Sequence, residues 1–541
     1  MAVSRQTSSW IAVCSALALA ACSSSEPPPS HITPNTQGWW RDKVFYEIFV
    51  RSFADSDGNG TGDLRGLTAH LDALNDGDAG TTSDLGVDAV WLMPINPSPS
   101  YHGYDVTDYR DVNPAYGSLA DFDAFVAAAH SRGIKVILDM VLNHSSSKHP
   151  WFLDSWTGAA APKRDWYVWR DTDPGWRQPF GSFGPTWYPV YGSYYYGVFT
   201  SSMPDLNLTN PAVETELVDS MKFWLARGVD GFRLDAVRYY VETAADAGQQ
   251  DQPGTHDFLR RIRDRLQADY PDALLVAEAW ATLDIAATYY GNGDEAQLAF
   301  SFELADQMKK AIAAGDATDI VSTLYRIDDA LGGKDRGFDA PFLSNHDQRR
   351  VMRDLGGDPG AARVAAATLL ALPGTPFIYY GEELGMQGGP SQDDVDKRTP
   401  YRWNATPGHG FSSGSPWYDA PEAAGVDLAT QQADPGSLWH LYRNLVALRH
   451  AQTPLSKGSS SIPALRAAPA GVMALLRTDG QKRVLFVANV GTAAAGSFGV
   501  GVATPGTPTV LLQEGLGTAS PTSSEVTVSA LAPRGFAFLS L

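Results

Sequence analysis

The sequence predicts an α/β protein: a (β/α)8 barrel with a subdomain inserted after its third strand and an antiparallel β-sandwich at its C-terminal end. Three observations carry that expectation. Eight short apolar runs alternate with stretches of helical periodicity between residues 44 and 381. Several of those runs end in charged side chains, the position where parallel barrels keep their chemistry. The composition also shifts twice, to Trp, Tyr, Gly and Pro over 145–203 and to Gly, Ala, Ser, Thr and Val over 453–541.

The runs at 44–50, 86–94, 134–142, 229–235, 273–279, 297–304, 339–345 and 375–381 predict the barrel strands. Helical spacing is found over 119–132, which stops at Gly133, and over 211–227, which has Pro211 at its start. It returns over 254–270 and 361–372. No helix is expected between the third strand and about Pro211. The barrel domain therefore spans 39–144 and 204–452, and the insert 145–203. After a helix at 438–449, the apolar runs 472–476, 483–490 and 535–541 predict the small sandwich of 453–541.

The N-terminus reads as an address. Arg5 precedes an apolar stretch, 10–21, that is too short to cross a bilayer. Leu19-Ala20-Ala21-Cys22 resembles a bacterial lipoprotein signal. That resemblance implies cleavage of 1–21, a lipid on Cys22 and a Ser/Pro tether over 22–38. The expectation is an exported cell-envelope lipoprotein, at the outer membrane or cell surface, and otherwise a secreted protein. Cys14 falls in the leader, so the mature chain has a single cysteine and no internal disulfide. A net charge of −20 argues against nucleic acid or an anionic membrane surface as partner. Membrane contact is expected only through the lipid, and a monomer is expected.

Four strand ends are polar: Asp139, Asn143 and His144; Arg233 and Asp235; Glu278; and Asn345, His346 and Asp347. Charged groups at the ends of apolar strands are costly unless paired or used. Arg233 and Asp235 stand two residues apart, so they share a face of their strand. A guanidinium beside a carboxylate is the setting of an anionic nucleophile. Acids gathered at one mouth separate in proton affinity, because like charges at close range do not all ionise. Retaining glycoside hydrolysis uses such a pair, one carboxylate attacking and one acid donating, about 5 Å apart. Glu278 lies beside Trp280 in an apolar segment and is the better proton donor.

By these segments, 139–144, 231–235, 278–280 and 342–347, the chain resembles the α-amylase family of retaining glycoside hydrolases, over about residues 39–541. A fifth, Met203-Pro204-Asp205-Leu206-Asn207, resembles the version intermediate between the oligo-1,6-glucosidase and neopullulanase groups. The family implies Asp235 as nucleophile, Glu278 as general acid/base and Asp347 as stabiliser of the transition state. It also implies His102, Tyr104, His144, Arg233 and His346 as substrate-binding residues, with Tyr104 stacked on the sugar. The expected activity is endo-cleavage of α-1,4 bonds in starch, glycogen and maltooligosaccharides. Ala236, a small residue after the nucleophile, goes with that linkage in the family. Tyr101 replaces the acid by which exo-acting relatives block the cleft. The alternatives are an oligosaccharide-preferring relative, such as a cyclomaltodextrinase, neopullulanase or α-glucosidase, or a glucanotransferase. The Arg398-Thr399-Pro400 segment points toward these. A non-catalytic glucan-binding protein is a further alternative, which the presence of all three acids disfavours.

Asp55, Asp57, Asn59, Thr61 and Asp63 alternate with small residues after the first strand, a pattern that wraps a hard cation. Gly66 stands where an EF-hand carries its bidentate acid, so the loop is not one. The family uses the same loop for a structural Ca2+, implying those five residues, Thr61 through its carbonyl. A second cation site of the family uses the counterparts of Asn143 and of a His shortly after the nucleophile. Here Tyr239 stands at the latter position, so that site is not expected.

Overall fold

The structure is a computed structural model that describes residues 38–181, 183–330, 339–391 and 393–541. The expected leader of 1–21, Cys22, and the tether up to residue 37 lie outside the described residues.

The eight barrel strands form at Phe45–Ile48, Ala89–Leu92, Lys135–Met140, Gly231–Leu234, Leu274–Ala277, Leu298–Phe300, Asp339–Ala340 and Phe377–Tyr379. The first seven pair in parallel in succession, and the eighth pairs with the first. The remaining seam is bridged where Thr375 N donates to Asp339 O (2.8 Å) and Phe377 N to Pro341 O (2.9 Å). The ring is therefore hydrogen-bonded all the way round. Gly231 permits the fit of the fourth strand against the fifth: a Cβ there would lie 2.3 Å from the Leu274 carbonyl oxygen.

Several strands are shorter than their apolar runs. The run 297–304 pairs only to Phe300, and Phe302 and Leu304 belong to the helix Phe302–Ala314. The run 339–345 stops at Ala340 because Pro341 has no N–H to extend the ladder. The insert also holds a helix where none was expected, Pro150–Ser155. Its start is well specified: Pro150 pre-sets the first turn, and the His149 ring accepts a hydrogen bond from Trp151 N. Beside it lies a three-stranded antiparallel sheet of Trp169–Arg170, Ser193–Tyr196 and Trp187–Val190.

Two apolar clusters separate alternate residues of the barrel strands, as the period of two requires. Phe45, Ala89, Trp91, Ile137, Leu274, Val276, Leu298, Phe300, Ala340, Phe342 and Phe377 pack together inside the ring. Tyr46, Ile48, Val90, Leu92, Val136, Leu138, Phe232 and Leu275 pack outward against the helices. Phe377 stacks on Phe45 at 4.5 Å and meets Phe300 edge-on at 4.9 Å. Such pairs each contribute roughly 0.5–1.5 kcal/mol beyond the area they bury.

The C-terminal region forms a five-stranded and a four-stranded sheet. Val472, Ala474, Leu485, Val487, Phe498, Val500, Val526 and Leu539 fill the space between them. It is tied to the barrel helix Pro359–Ala371 by Arg363, whose Nε donates to Glu514 Oε2 (2.8 Å), and by Arg534 with Asp358 (3.2 Å).

Candidate active site

The inward row of each barrel strand turns polar toward its C-terminal end. Two residues beyond Phe45 comes Glu47; beyond Ile137, Asp139; beyond Gly231, Arg233 and then Asp235; beyond Val276, Glu278. The same alternation that packs the apolar interior thus delivers charges to one mouth. Above it lies a cavity of about 850 Å³ lined by His102, Tyr104, His144, Asp235, Glu278 and Asp347, among others.

Arg233 is the hub and is fully buried. Its Nη1 donates to Asp139 Oδ1 (2.7 Å) and Asp235 Oδ1 (2.6 Å), and its Nη2 reaches Glu278 Oε2 (3.0 Å). A single guanidinium thus touches both carboxyls of the proposed catalytic pair, consistent with the ~5 Å separation of retaining enzymes. Exposure separates the acids: the side chains of Asp235, Glu278 and Asp347 are 10, 11 and 27 % exposed, but that of Asp139 is 0 %. Asp139 therefore holds Arg233 and the Tyr104 hydroxyl (3.0 Å) from behind rather than meeting substrate.

Burial pushes the Glu278 carboxyl up to about 8; Arg233 opposes this, and the charges of Asp235 and Asp347 add to it. Burial likewise raises Asp139, to about 7, against the pull of Arg233. Asp347 goes the other way. Burial alone would raise it, but the His346 and Arg398 cations hold it far below the usual carboxylate range. Two acids at the same mouth are thus set to opposite protonation states by their neighbours. The backbone adds to the arrangement. Ala236 adopts φ 53°, ψ 35°, a left-handed conformation costly for a residue with a Cβ, and its N–H donates to Glu278 Oε2 (2.8 Å).

The other expected ligand-binding residues close around the same space. His346 Nδ1 meets Glu47 Oε1 (2.6 Å), and its Nε2 meets Asp347 Oδ2 (2.9 Å) and the Tyr104 hydroxyl (2.6 Å). Burial disfavours its cation, but those two carboxylates override this and raise it to about 9. His144 lies with Nε2 3.2 Å from the Tyr104 carbonyl, and burial lowers its proton affinity. His102 Nδ1 accepts from Tyr104 N (3.1 Å). All eight residues expected at the catalytic site converge.

Three further groups complete the site. Glu47 is a lone acid in the run Phe45–Ile48, a signal present in the sequence. Arg398 lines the cavity, donates to Asp347 Oδ1 (2.8 Å), and pairs with Asp394 (3.3 Å) four residues earlier. An aromatic wall of Phe180, Phe199, Tyr239 and Trp280 borders the acids, and only pairing with distant loops reveals it. Tyr239 packs on Phe180 (5.1 Å) and Phe199 (5.5 Å), so this position serves the cleft.

In the loop of 55–63, carboxylate oxygens of Asp55, Asp57 and Asp63 lie within 4.8 Å of one another. Asp63 is also the N-cap of the helix Leu64–Ala69, accepting from Gly66 N (2.8 Å). Asn59 Oδ1 accepts from Thr61 N (2.8 Å), and its amide donates to Asp57 (3.0 Å).

Comparison with known proteins agrees with this geometry. A family model for the α-amylase catalytic domain matches residues 47–458. The chain is 39 % identical to α-amylase 3 of Dictyoglomus thermophilum over 432 residues, which cover 79 % of this chain and 81 % of that one. It is 33 % identical to an oligo-1,6-glucosidase of Parageobacillus thermoglucosidasius over 480 residues, 76 % of this chain and 83 % of the relative. Its fold matches the crystal structure of an α-amylase from H. orenii with a TM-score of 0.82 at 35 % identity, over 92 % of this chain and 99 % of the other.

Proposed function

The chain belongs to the α-amylase family of glycoside hydrolases, and from that premise we propose that it cleaves terminal α-glucosidic bonds of short oligosaccharides with retention of configuration. Asp235 attacks the anomeric carbon as the bond to the leaving oxygen breaks, and Glu278 gives that oxygen its proton. Water then attacks the same carbon, its proton passes to Glu278, and the bond to Asp235 breaks. Asp347, kept anionic between His346 and Arg398, faces the positive charge that develops on the sugar ring. Tyr104 offers an apolar ring face to the pyranose.

The observation that carries the preference for chain ends is Arg398. Its guanidinium is bound to Asp347, Asp394 and the His346 carbonyl, and its Nη1 lies 3.5 Å from the Tyr101 hydroxyl. Tyr101 in turn stacks on Trp417 at 5.6 Å. Arg398 and Asp394 line the pocket beside Asp347, with Tyr101 packed behind Arg398, and charged groups at that end suit the hydroxyls of a chain-end sugar. The likeness to the oligo-1,6-glucosidase supports the same reading. Endo-cleavage of α-1,4-glucan is the second reading, supported by Tyr101 in place of an acid and by relatives named α-amylase.

Product profiles separate the two. We expect maltotriose to yield glucose and maltose with kcat/KM at least about tenfold above that for amylose, and the first sugar released to be the α-anomer by NMR. Loss of iodine staining from amylose ahead of glucose release would establish the endo reading instead.

The loop of 55–63 fits a structural Ca2+. Its three acids make no ion pair within 4.0 Å among the described residues, although Asp63 is buried. Oxygen donors at alternate positions match a hard cation. We propose that Asp55, Asp57, Asn59, Asp63 and the Thr61 carbonyl hold it, and that it ties the loop to Ser412, whose hydroxyl donates to Asp55 (2.6 Å). EDTA is expected to lower Tm by about 2–3 °C, the scale of a ligand at 100 times its Kd acting on a chain of this length. Excess Ca2+ should restore it, and Asp57→Asn should abolish the response. Equal Tm in EDTA and in Ca2+ would remove the ion from the loop.

A further inference from the structure

His346 lies one layer behind the cavity. Its side chain is 0 % exposed, and two of the groups it touches, Asp347 and Tyr104, line the cleft. Nδ1 meets Glu47 Oε1 (2.6 Å), and Nε2 meets Asp347 Oδ2 (2.9 Å) and the Tyr104 hydroxyl (2.6 Å). That hydroxyl donates onward to Asp139 Oδ2 (3.0 Å), so it accepts from the ring. Glu47, on the first barrel strand, is buried, and His346 is its one ion-pair partner among the described residues.

A neutral imidazole has one donor nitrogen and one acceptor nitrogen. Here each nitrogen faces a carboxylate, so either neutral tautomer sets a lone pair against a buried negative charge. The imidazolium alone donates at both ends. Two cations stand close as well. Arg398 donates to the His346 carbonyl (3.0 Å) and to Asp347 Oδ1 (2.8 Å), and Arg233 holds Asp139 (2.7 Å) beyond Tyr104. The Trp91 ring covers another side, edge-on at 5.6 Å. Burial disfavours the charged ring, and Asp347 and Glu47 together hold it up to about 9. Asp347 keeps a second cation in Arg398, so the group whose sole charge partner is this ring is Glu47.

We propose that Glu47 is a positioning residue for the reaction: its carboxylate obliges His346 to stay an imidazolium, whose charged Nε2–H fixes the Tyr104 hydroxyl and the Asp347 carboxylate from behind. The inference rests on the glycosidase reading above. Glu47 touches neither the sugar nor a reacting atom. It acts through the strength of one donor, because a charged N–H holds a carboxylate roughly twice as strongly as a neutral one.

Glu47→Gln keeps the shape of the side chain and removes its charge. The amide turns to donate to Nδ1, which leaves a neutral ring with Nε2–H still facing Asp347. The ring should then lose its second proton at lower pH than in the wild type. The kcat/KM on maltotriose reports groups of the free enzyme, and it should fall about tenfold below the wild type at about pH 7.5 yet stay within about twofold at about pH 5.5. In a His346→Asn background, which has no ring to charge, the same substitution should have equal effects at both pH values. A loss of equal size at both pH values in the native background, or no loss at either, overturns the proposal. The wild-type chain supplies an independent reading. With isotope-labelled histidine, the nitrogen NMR signal that His346→Asn removes should show both ring nitrogens protonated at about pH 7.5. A neutral ring there overturns the proposal whether or not Glu47→Gln folds. A wild-type chain that releases no sugar from maltotriose overturns the glycosidase reading, and the role of Glu47 with it, even where the ring is charged.

Discussion

Asp235→Asn is expected to lower kcat on maltotriose by about 10⁴-fold, roughly 5.5 kcal/mol of transition-state stabilisation. An amide has the shape of the carboxylate but neither its charge nor its capacity to form and release an ester with the anomeric carbon. The side chain lies at the cavity wall with one oxygen held by Arg233 at 2.6 Å, so its position is set before substrate arrives. That fixed position is what makes the loss large, because a nucleophile already oriented needs no reorganisation in the transition state. Asp139 does not substitute for it. Its carboxyl is wholly buried and bound to the same guanidinium and to Tyr104. Single-turnover kinetics with p-nitrophenyl α-glucoside, and a circular dichroism spectrum matching the wild type, would check the result. A variant that keeps kcat within tenfold would exclude Asp235 as the nucleophile.

The positions of the acids proposed for catalysis were legible in the sequence for the same reason that the strands were. A period-two apolar row that ends in charge names both the strand and the face, so Arg233, Asp235 and Glu278 could be placed on one mouth from their runs alone. Strand ends were less legible. Apolar character continues past the ladder into loop or helix, as at Phe302, and a proline such as Pro341 stops pairing without breaking the run. The helix Pro150–Ser155 was hidden because it is under two turns long and lies in an aromatic-rich segment where no periodicity can develop. What closes the pocket was harder still to read. Arg398 meets Tyr101 and Asp347 across 297 and 51 residues of chain, and Phe180 meets Tyr239 across domains. Contacts of that kind follow from how loops stack above the barrel, and no local pattern encodes them.

Glu278→Gln should divide substrates by leaving group, and this follows from the state of the acid. Burial, with the Asp235 and Asp347 charges, holds the Glu278 carboxyl up to about 8, against the pull of Arg233. The protonated form, the one that donates, is therefore present at neutral pH. It is lost as pH rises through about 8, so wild-type activity on maltotriose should fall along that alkaline limb. Removing the proton donor should cost about 10³-fold on maltotriose, whose departing oxygen is a poor leaving group. A p-nitrophenolate leaves without a proton, so glycosylation from p-nitrophenyl α-glucoside should persist and its alkaline limb near 8 should disappear. The second step then lacks its base, and the glycosyl-enzyme should accumulate as a burst of p-nitrophenol followed by slow turnover. Azide, a nucleophile that needs no deprotonation, should restore turnover and give the α-glucosyl azide, because attack on the intermediate inverts the carbon a second time. Equal losses on both substrates, with neither burst nor azide rescue, would assign the proton transfer to another group. Asp139 is not a candidate for it, because the buried position that raises its carboxyl to about 7 also keeps it from the glycosidic oxygen.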